Sequence, residues 1–306
     1  MSRCSFGISP IASLVLASAF WGVATVISKK LLASVPPITL LVVQLAPSVL
    51  LLWLLVFARG ARPVQRYGLL AVALMGCLNP GLSYTLSMLG LARTTASVAT
   101  LLWAAEPALI VVMAWLVLRE PLTIRLLVVT ATAAGGVLLV SGFPEGAGVA
   151  GDRCGDVLIL GGVLCCALYT VLSRKVAPSA DLLFTVALQQ SAGLLWAVAL
   201  WSVTLHRTDG EPVLVPSRSE WLGGAVSGLM YYAAAFWFYL TGLRSVPAAI
   251  AGGFLNLIPV FGITSAYVLL GERLTLTQSA GAAVILCSVS ALLMWSAPAR
   301  ASEPTG

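Results

Sequence analysis

Long apolar runs alternate with short polar punctuation along the whole chain. Ten runs lie near 9–32, 37–58, 67–90, 94–118, 124–142, 155–176, 181–205, 220–242, 246–270 and 276–296. A bilayer needs about 20 apolar residues per helical crossing. Backbone groups in lipid must be satisfied within their own segment, so each run is expected to be a transmembrane helix. The connections are short and rich in Pro, Gly or charge, as in Val35-Pro36-Pro37, Arg59-Gly60-Ala61-Arg62-Pro63 and Arg119-Glu120-Pro121. A long connection runs from His206 to Arg218, and the stretch from Gly142 to Gly155 joins two halves. No segment is left to form a separate soluble domain.

The pattern also repeats. The stretch LARTTASVATLLWAAEPALIVVMAWLVLREPLT, starting at Leu91, aligns without a gap on LRSVPAAIAGGFLNLIPVFGITSAYVLLGERLT, starting at Leu243, at a constant offset of 152. Pro107 falls on Pro259, and Glu120-x-Leu122-Thr123 falls on Glu272-x-Leu274-Thr275. Earlier in each half, Thr25-Val-Ile-Ser28-Lys29-Lys30 matches Thr170-Val-Leu-Ser173-Arg174-Lys175. An internal repeat in a hydrophobic chain marks a transporter built from two related halves. The halves divide as 1–147 and 148–306, with five runs in each. Five is odd, so the second half is expected to lie inverted relative to the first.

Composition agrees. Of 306 residues, 59% are hydrophobic and only 9% charged, with a mean hydropathy of +1.01. Soluble domains carry about 25% charged residues, so these charges cannot cover a water-exposed surface. The net charge of +6 therefore reads as cytoplasmic loops enriched in Arg and Lys and not as a nucleic-acid surface. Most of the six cysteines (Cys77, Cys165, Cys166 and Cys287 among them) lie in apolar runs and read as small buried residues, not as a disulfide framework. Arg3 and Ala17-Ser18-Ala19 imitate a signal peptide. The apolar run continues to Leu32 and has a counterpart downstream, so it belongs to the fold.

Orientation follows from counting Arg and Lys. With the N-terminus inside, ten basic residues (Arg3, Arg59, Arg62, Arg66, Arg119, Arg125, Arg174, Lys175, Arg244, Arg300) fall inside and seven outside. That excess predicts both termini in the cytoplasm of a cell inner (plasma) membrane protein.

The motifs Phe20-Trp21-Gly22, Thr94-Thr-Ala-Ser-Val-Ala99, Glu106-Pro107, Leu118-Arg-Glu120-Pro-Leu-Thr123, Asn256-x-x-Pro259 and Gly271-Glu272-Arg273-Leu274-Thr275 resemble the EamA domain of the drug/metabolite transporter superfamily. The resemblance covers nearly the whole chain as two EamA units. It implies an all-α membrane protein: ten helices in a pseudo-symmetric basket around a central cavity, exporting or importing small organic solutes such as amino acids, other metabolites or drugs.

Polar side chains inside the runs are costly in hydrocarbon, so they usually face the bundle interior or a wet path. Asn79, Ser83 and Ser87 share one face of the third run. They read either as a cavity wall or as hydrogen bonds between helices, worth on average about 0.6 kcal/mol. The offset of 152 places Asn79 on Tyr231 and Tyr84 on Phe236, within the aromatic stretch Tyr231-Tyr232-Ala-Ala-Ala-Phe236-Trp237-Phe238-Tyr239. Its mid-span rings read as a cavity wall, because Tyr hydroxyls at depth need partners. Trp21 and Thr25 with Ser28, and Tyr169 with Ser173, form similar stripes. Trp103 lies one turn before Glu106. Gln44, Gln189 and Gln190 read first as satisfied amides. Gly252 and Gly253, beside Asn256, and Gly224-x-x-x-Gly228 read as close packing. Lys29, Lys30, Arg174 and Lys175 read as anchors reaching the interface.

The candidate cavity set is Trp21, Thr25, Asn79, Ser83, Tyr84, Trp103, Glu106, Tyr169, Tyr232, Phe236, Trp237 and Asn256. Glu106 is the acid that lies mid-span, and its repeat partner is Ile258. An ionised acid at the bilayer centre costs about 2.5–3.5 kcal/mol. A carboxyl there is suited to carry a proton, or else to cap the backbone freed by Pro107 or bond Asn256. No cofactor or metal is expected: His206 is the only histidine, whereas a zinc site needs three or four ligands. An aspartyl or Ser-His enzyme lacks its partners in the membrane, and no phosphate-binding GxxxxGK[ST] loop occurs. The chain is expected to be a permease for a small organic solute within a lipid bilayer. The alternative is a channel-like protein or non-transporting sensor, though no ring of charges or carbonyl filter is evident.

Overall fold

The computed structural model describes residues 8–60, 68–91, 93, 102–103, 105–121, 123–141, 153–176, 181–207, 217–270 and 276–296. Among the described residues every regular element is a helix. The first half contributes α1 (Pro10–Leu31), α2 (Pro37–Arg59), α3 (Leu69–Gly76), a π-helical turn (Cys77–Leu82), α4 (Ser83–Leu91), α5 (Glu106–Met113) with its π-helical turn (Ala114–Leu118), and α6 (Ile124–Ser141). The second contributes α7 (Arg153–Val176), α8 (Leu182–Arg207), α9 (Arg218–Gly228), a π-helical turn (Leu229–Ala234), α10 (Ala235–Leu243), α11 (Ala248–Phe254), a 3-10 turn (Leu255–Leu257), α12 (Ile258–Leu270) and α13 (Leu276–Ser296).

Local chemistry sets the helix ends. Ser9 caps α1 by accepting from the Ala12 N–H at 3.1 Å, and Pro10 takes the first helical position, where no N–H is needed. Pro37 opens α2 in the same way, and Gly60 closes it in the left-handed conformation at φ 60°. Ser217 and Glu220 form a reciprocal capping box on α9.

Six helical stretches among the described residues are long and apolar enough to cross a membrane: Pro10–Ser28, Pro37–Arg59, Leu69–Gly90, Val157–Arg174, Leu182–Thr204 and Ile250–Leu269. Shorter apolar helices occupy Leu109–Leu118, Ile124–Gly136 and Ser279–Ser288. Large apolar side chains such as Leu50, Phe57, Leu70, Leu195 and Val268 cover the outside. Water would penalise that surface, whereas hydrocarbon accepts it.

Packing follows the sequence repeat. α1 packs on α9, α10 and α12, as α7 packs on α4 and α5. α2 faces α8, α5 faces α11, and α6 faces α13. Close approaches recur in matched pairs. A Cβ on Gly76 would lie 2.1 Å from the Gln189 carbonyl oxygen, and one on Gly228 would lie 2.1 Å from that of Gln44. A Cβ on Gly90 would meet Gly155 and Ile159, and one on Gly242 would meet Pro10 and Leu14. The π-helical turns Cys77–Leu82 and Leu229–Ala234 are separated by the same 152 residues as the aligned stretches.

Polar side chains tie the helices together. The Gln44 amide donates to Ser28 at 2.7 Å and to Ser227 at 2.9 Å. Ser18 donates to the Phe254 carbonyl at 2.9 Å. Near the end of the molecule that holds Pro10, the Glu120 carboxylate accepts from the Ala248 N–H at 3.2 Å, at the start of α11. Arg174, expected only as an interface anchor, donates to the Leu243 and Arg244 carbonyls at 2.8 and 2.7 Å. It thereby satisfies the exposed acceptors at the C-terminus of α10. The Thr94–Ala99 and Gly271–Thr275 motifs lie outside the described residues, as do the Lys29, Lys175 and His206 side chains.

Candidate functional site

The π-helical turns place two different chemistries at the middle of the bundle. A π turn widens the helix locally and exposes backbone and side chains that a regular α-helix would pack away, which is why such turns recur at functional sites. In the first half the turn carries Asn79, whose backbone is extended (φ −148°, ψ 118°) just before Pro80. In the second half the corresponding turn carries Tyr231 and Tyr232.

Asn79 is 1% exposed, and its amide donates to the Cys166 sulfur of α7 at 3.1 Å. The Cys166 thiol also faces the Glu106 carboxyl within hydrogen-bonding reach, and Ser83 lies beside the same sulfur. Glu106, 6% exposed, opens α5 and precedes Pro107 in its first turn. Asn79, Cys166 and Glu106 therefore form a polar pole contributed by three different helical segments. The Asn79 Oδ1 atom is buried without a hydrogen-bond partner among the described residues.

Facing it is an aromatic pole. Trp21 meets Tyr231, Phe236 and Tyr239 edge-on, at ring-centroid distances of 6.5, 5.4 and 5.3 Å. Tyr84 joins the group at 5.3 Å from Tyr231 and 5.6 Å from Tyr232, and stacks on Trp103 at 6.2 Å. Tyr169 meets Phe236 at 5.9 Å and donates its hydroxyl to Gln189 at 2.9 Å. Edge-to-face pairs at these distances contribute about 0.5–1.5 kcal/mol each beyond their area burial, and together they hold the wall. Thr25 lies within hydrogen-bonding reach of Tyr231 at the side of this group. Tyr231 and Tyr239 are also within electrostatic reach of Glu106, which joins the two poles into one site. The Trp21 Nε1–H is buried and unpartnered among the described residues.

The candidates read from the sequence are thus brought together in large part. Trp21, Asn79, Ser83, Tyr84, Trp103, Glu106, Tyr169, Tyr232 and Phe236 line or support one centre, with Thr25 at its margin. Two are placed differently. Trp237 contacts Phe238 at 5.1 Å, and Phe238 stacks on Phe20 at 5.7 Å, in a separate aromatic group. Asn256 is buried at the 3-10 turn, where its amide donates to the Gly253 carbonyl at 3.0 Å. Ser83 and Ser87 also pack α4 on α7: Ser83 donates to the Gly162 carbonyl at 2.8 Å, and a Cβ on Gly162 would lie 2.3 Å from the Ser87 hydroxyl.

Cys166, which joins Asn79 to Glu106, was read from the sequence only as a small buried residue. The repeat held a signal for it. The register that aligns Thr25 with Thr170 places Cys166 on Trp21, so one position carries an aromatic ring in one half and a thiol in the other.

A bundle of apolar helices built from two like halves, with a buried polar and aromatic centre between them, defines a multi-pass membrane transporter. The chain belongs to the EamA-like transporter family, whose model matches residues 8–142 and 153–294. It is 24% identical over 283 residues to the uncharacterized transporter YetK of Bacillus subtilis (strain 168), covering 90% of this chain and 83% of that one. It is 26% identical over 278 residues to the uncharacterized transporter YvbV of the same organism, covering 88% and 86%. A protein crystal structure superposes with a TM-score of 0.78 at 19% identity, covering 92% of this chain and 96% of that one, and so shares the fold.

Proposed function

We propose that the chain carries small organic solutes across the cell inner membrane by alternating access, its two halves rocking about the central site. The observation that carries this reading is the paired set of close approaches, Gly76 on Gln189 and Gly228 on Gln44. Reciprocal contacts of this kind support two inverted five-helix repeats, 1–147 and 148–306, and ten spans in all. Transporters built from such repeats hold their substrate where the repeats meet.

The solute is an amphiphile of low charge. A site with many rings and few fixed charges suits an apolar body with a few placed polar groups and offers little to an inorganic ion. Replacing Tyr232 by Ala should raise the KM for transported solute several-fold, with Tyr232→Phe milder. Trp237→Ala should do less, because that ring packs at a tilt on Phe238, in a separate aromatic group. Kinetics measured on folded, liposome-reconstituted variants decide the point: an unchanged KM in Tyr232→Ala contradicts the aromatic wall.

Both termini are cytoplasmic in this reading, from the excess of Arg and Lys on that side. A C-terminal reporter active only in the cytoplasm should give signal, and one active only outside should be silent. The opposite pattern contradicts the topology.

A further inference from the structure

We infer that the polar pole of the central site receives the head of a protonated primary amine while the aromatic pole holds its apolar body. The inference rests on the transport reading above and names the substrate class for the same site.

The polar pole is poor in donors. The Asn79 amide N–H is already committed to the Cys166 sulfur at 3.1 Å, which turns attention to the amide oxygen. That oxygen is buried and has no partner among the described residues. Across the same sulfur stands the Glu106 carboxyl. The pole thus offers an unused amide acceptor and a carboxyl, both more than nine-tenths buried. A buried acceptor without a donor is destabilising, and a ligand that supplies N–H groups relieves it. A primary ammonium carries three donors and no acceptor. Its charge is the sign that a carboxylate accepts. A carboxylate or phosphate ligand would instead face two acceptors and be repelled.

The rings supply the second half of the argument. Tyr231, within electrostatic reach of Glu106, packs against Trp21, Tyr84 and Tyr232. Aromatic faces attract an ammonium within about 6 Å of the ring centroid, Trp most strongly. They also accept an apolar or aromatic body beyond it. The two poles come from different helical segments, so one ligand bridging them would contact both halves of the chain. The Trp21 Nε1–H, itself without a partner among the described residues, is available to an acceptor on the body of the solute.

The test is equilibrium binding by titration calorimetry on the purified full chain in detergent at pH 7. The probes are 2-phenylethylamine, its uncharged counterpart 2-phenylethanol, and the N-trimethylated amine. The primary amine should bind at least tenfold more tightly than the alcohol, and more tightly than the trimethylated form, which has no N–H to offer Asn79 and Glu106. In Glu106→Gln the preference for amine over alcohol should collapse. Equal binding of amine and alcohol by the unaltered protein overturns the proposal without depending on any variant. Equal binding of the two amines, or no amine binding at all, also overturns it. Uptake of another solute into proteoliposomes without amine preference leaves the transport reading standing and sinks this one. Amine binding with no uptake of any solute does the reverse.

Discussion

Glu106→Gln should abolish gradient-driven solute accumulation while leaving exchange of uncharged solute measurable. The substitution keeps the shape and hydrogen-bonding capacity of the side chain but removes its ability to titrate. Glu106 is buried at the centre, beside Cys166 and within electrostatic reach of Tyr231 and Tyr239. Those are the titratable groups facing it among the described residues, and none of them is a cation. An ionised carboxyl in such a place is expensive, and we propose that Glu106 exchanges a proton as the site opens to either side. Its counterpart in the other half is Ile258, so symmetric packing does not require an acid here. The measurement is accumulation of labelled solute in liposomes with an imposed proton gradient. Accumulation by the variant equal to that of the unaltered chain would make Glu106 structural and remove proton coupling from the account.

Gly228→Ala and Gly76→Ala should each destabilise the bundle strongly, and by similar amounts. An added Cβ would lie 2.1 Å from a carbonyl oxygen of the facing helix, and backbone cannot rotate out of the way as a side chain can. Overpacking of this kind costs about 1–3 kcal/mol and occasionally more, and here the upper end is expected. Gly135→Ala is the control: a Cβ there meets nothing within 4 Å, and in a helix Ala is favoured over Gly by about 1 kcal/mol. Thermal unfolding of the purified variants should rank Gly135→Ala at or above the unaltered chain, with both other variants well below it. If Gly76→Ala and Gly228→Ala unfold with the control, α3 does not pack on α8, nor α9 on α2, as described.

The apolar runs announced the helices, and the repeat offset foretold which positions correspond: Asn79 with Tyr231, and Tyr84 with Phe236. Glu106 stood out because an acid in hydrocarbon is rare. Aromatic character alone groups Trp237 with Tyr232 and Phe236. A residue one step from Phe236 is turned about 100° around the helix, and its ring lies tilted against Phe238 in a separate group. Asn256 lies beside Gly252 and Gly253, which read as close packing, and the break at Leu255–Leu257 lets its amide close on its own chain. The role of Cys166 depends on which side chains the turn Cys77–Leu82, α5 and α7 bring to one point. Only tertiary packing supplies that information, because periodicity along one helix says nothing about what another presents.

Uptake by the purified chain in sealed liposomes, against a panel of labelled organic solutes with and without a proton gradient, tests the central claim most directly. The account predicts saturable uptake of at least one small amphiphilic solute, enhanced by the gradient and reduced by Tyr232→Ala. Liposomes that take up no solute, or that pass inorganic ions freely without saturation, would contradict it.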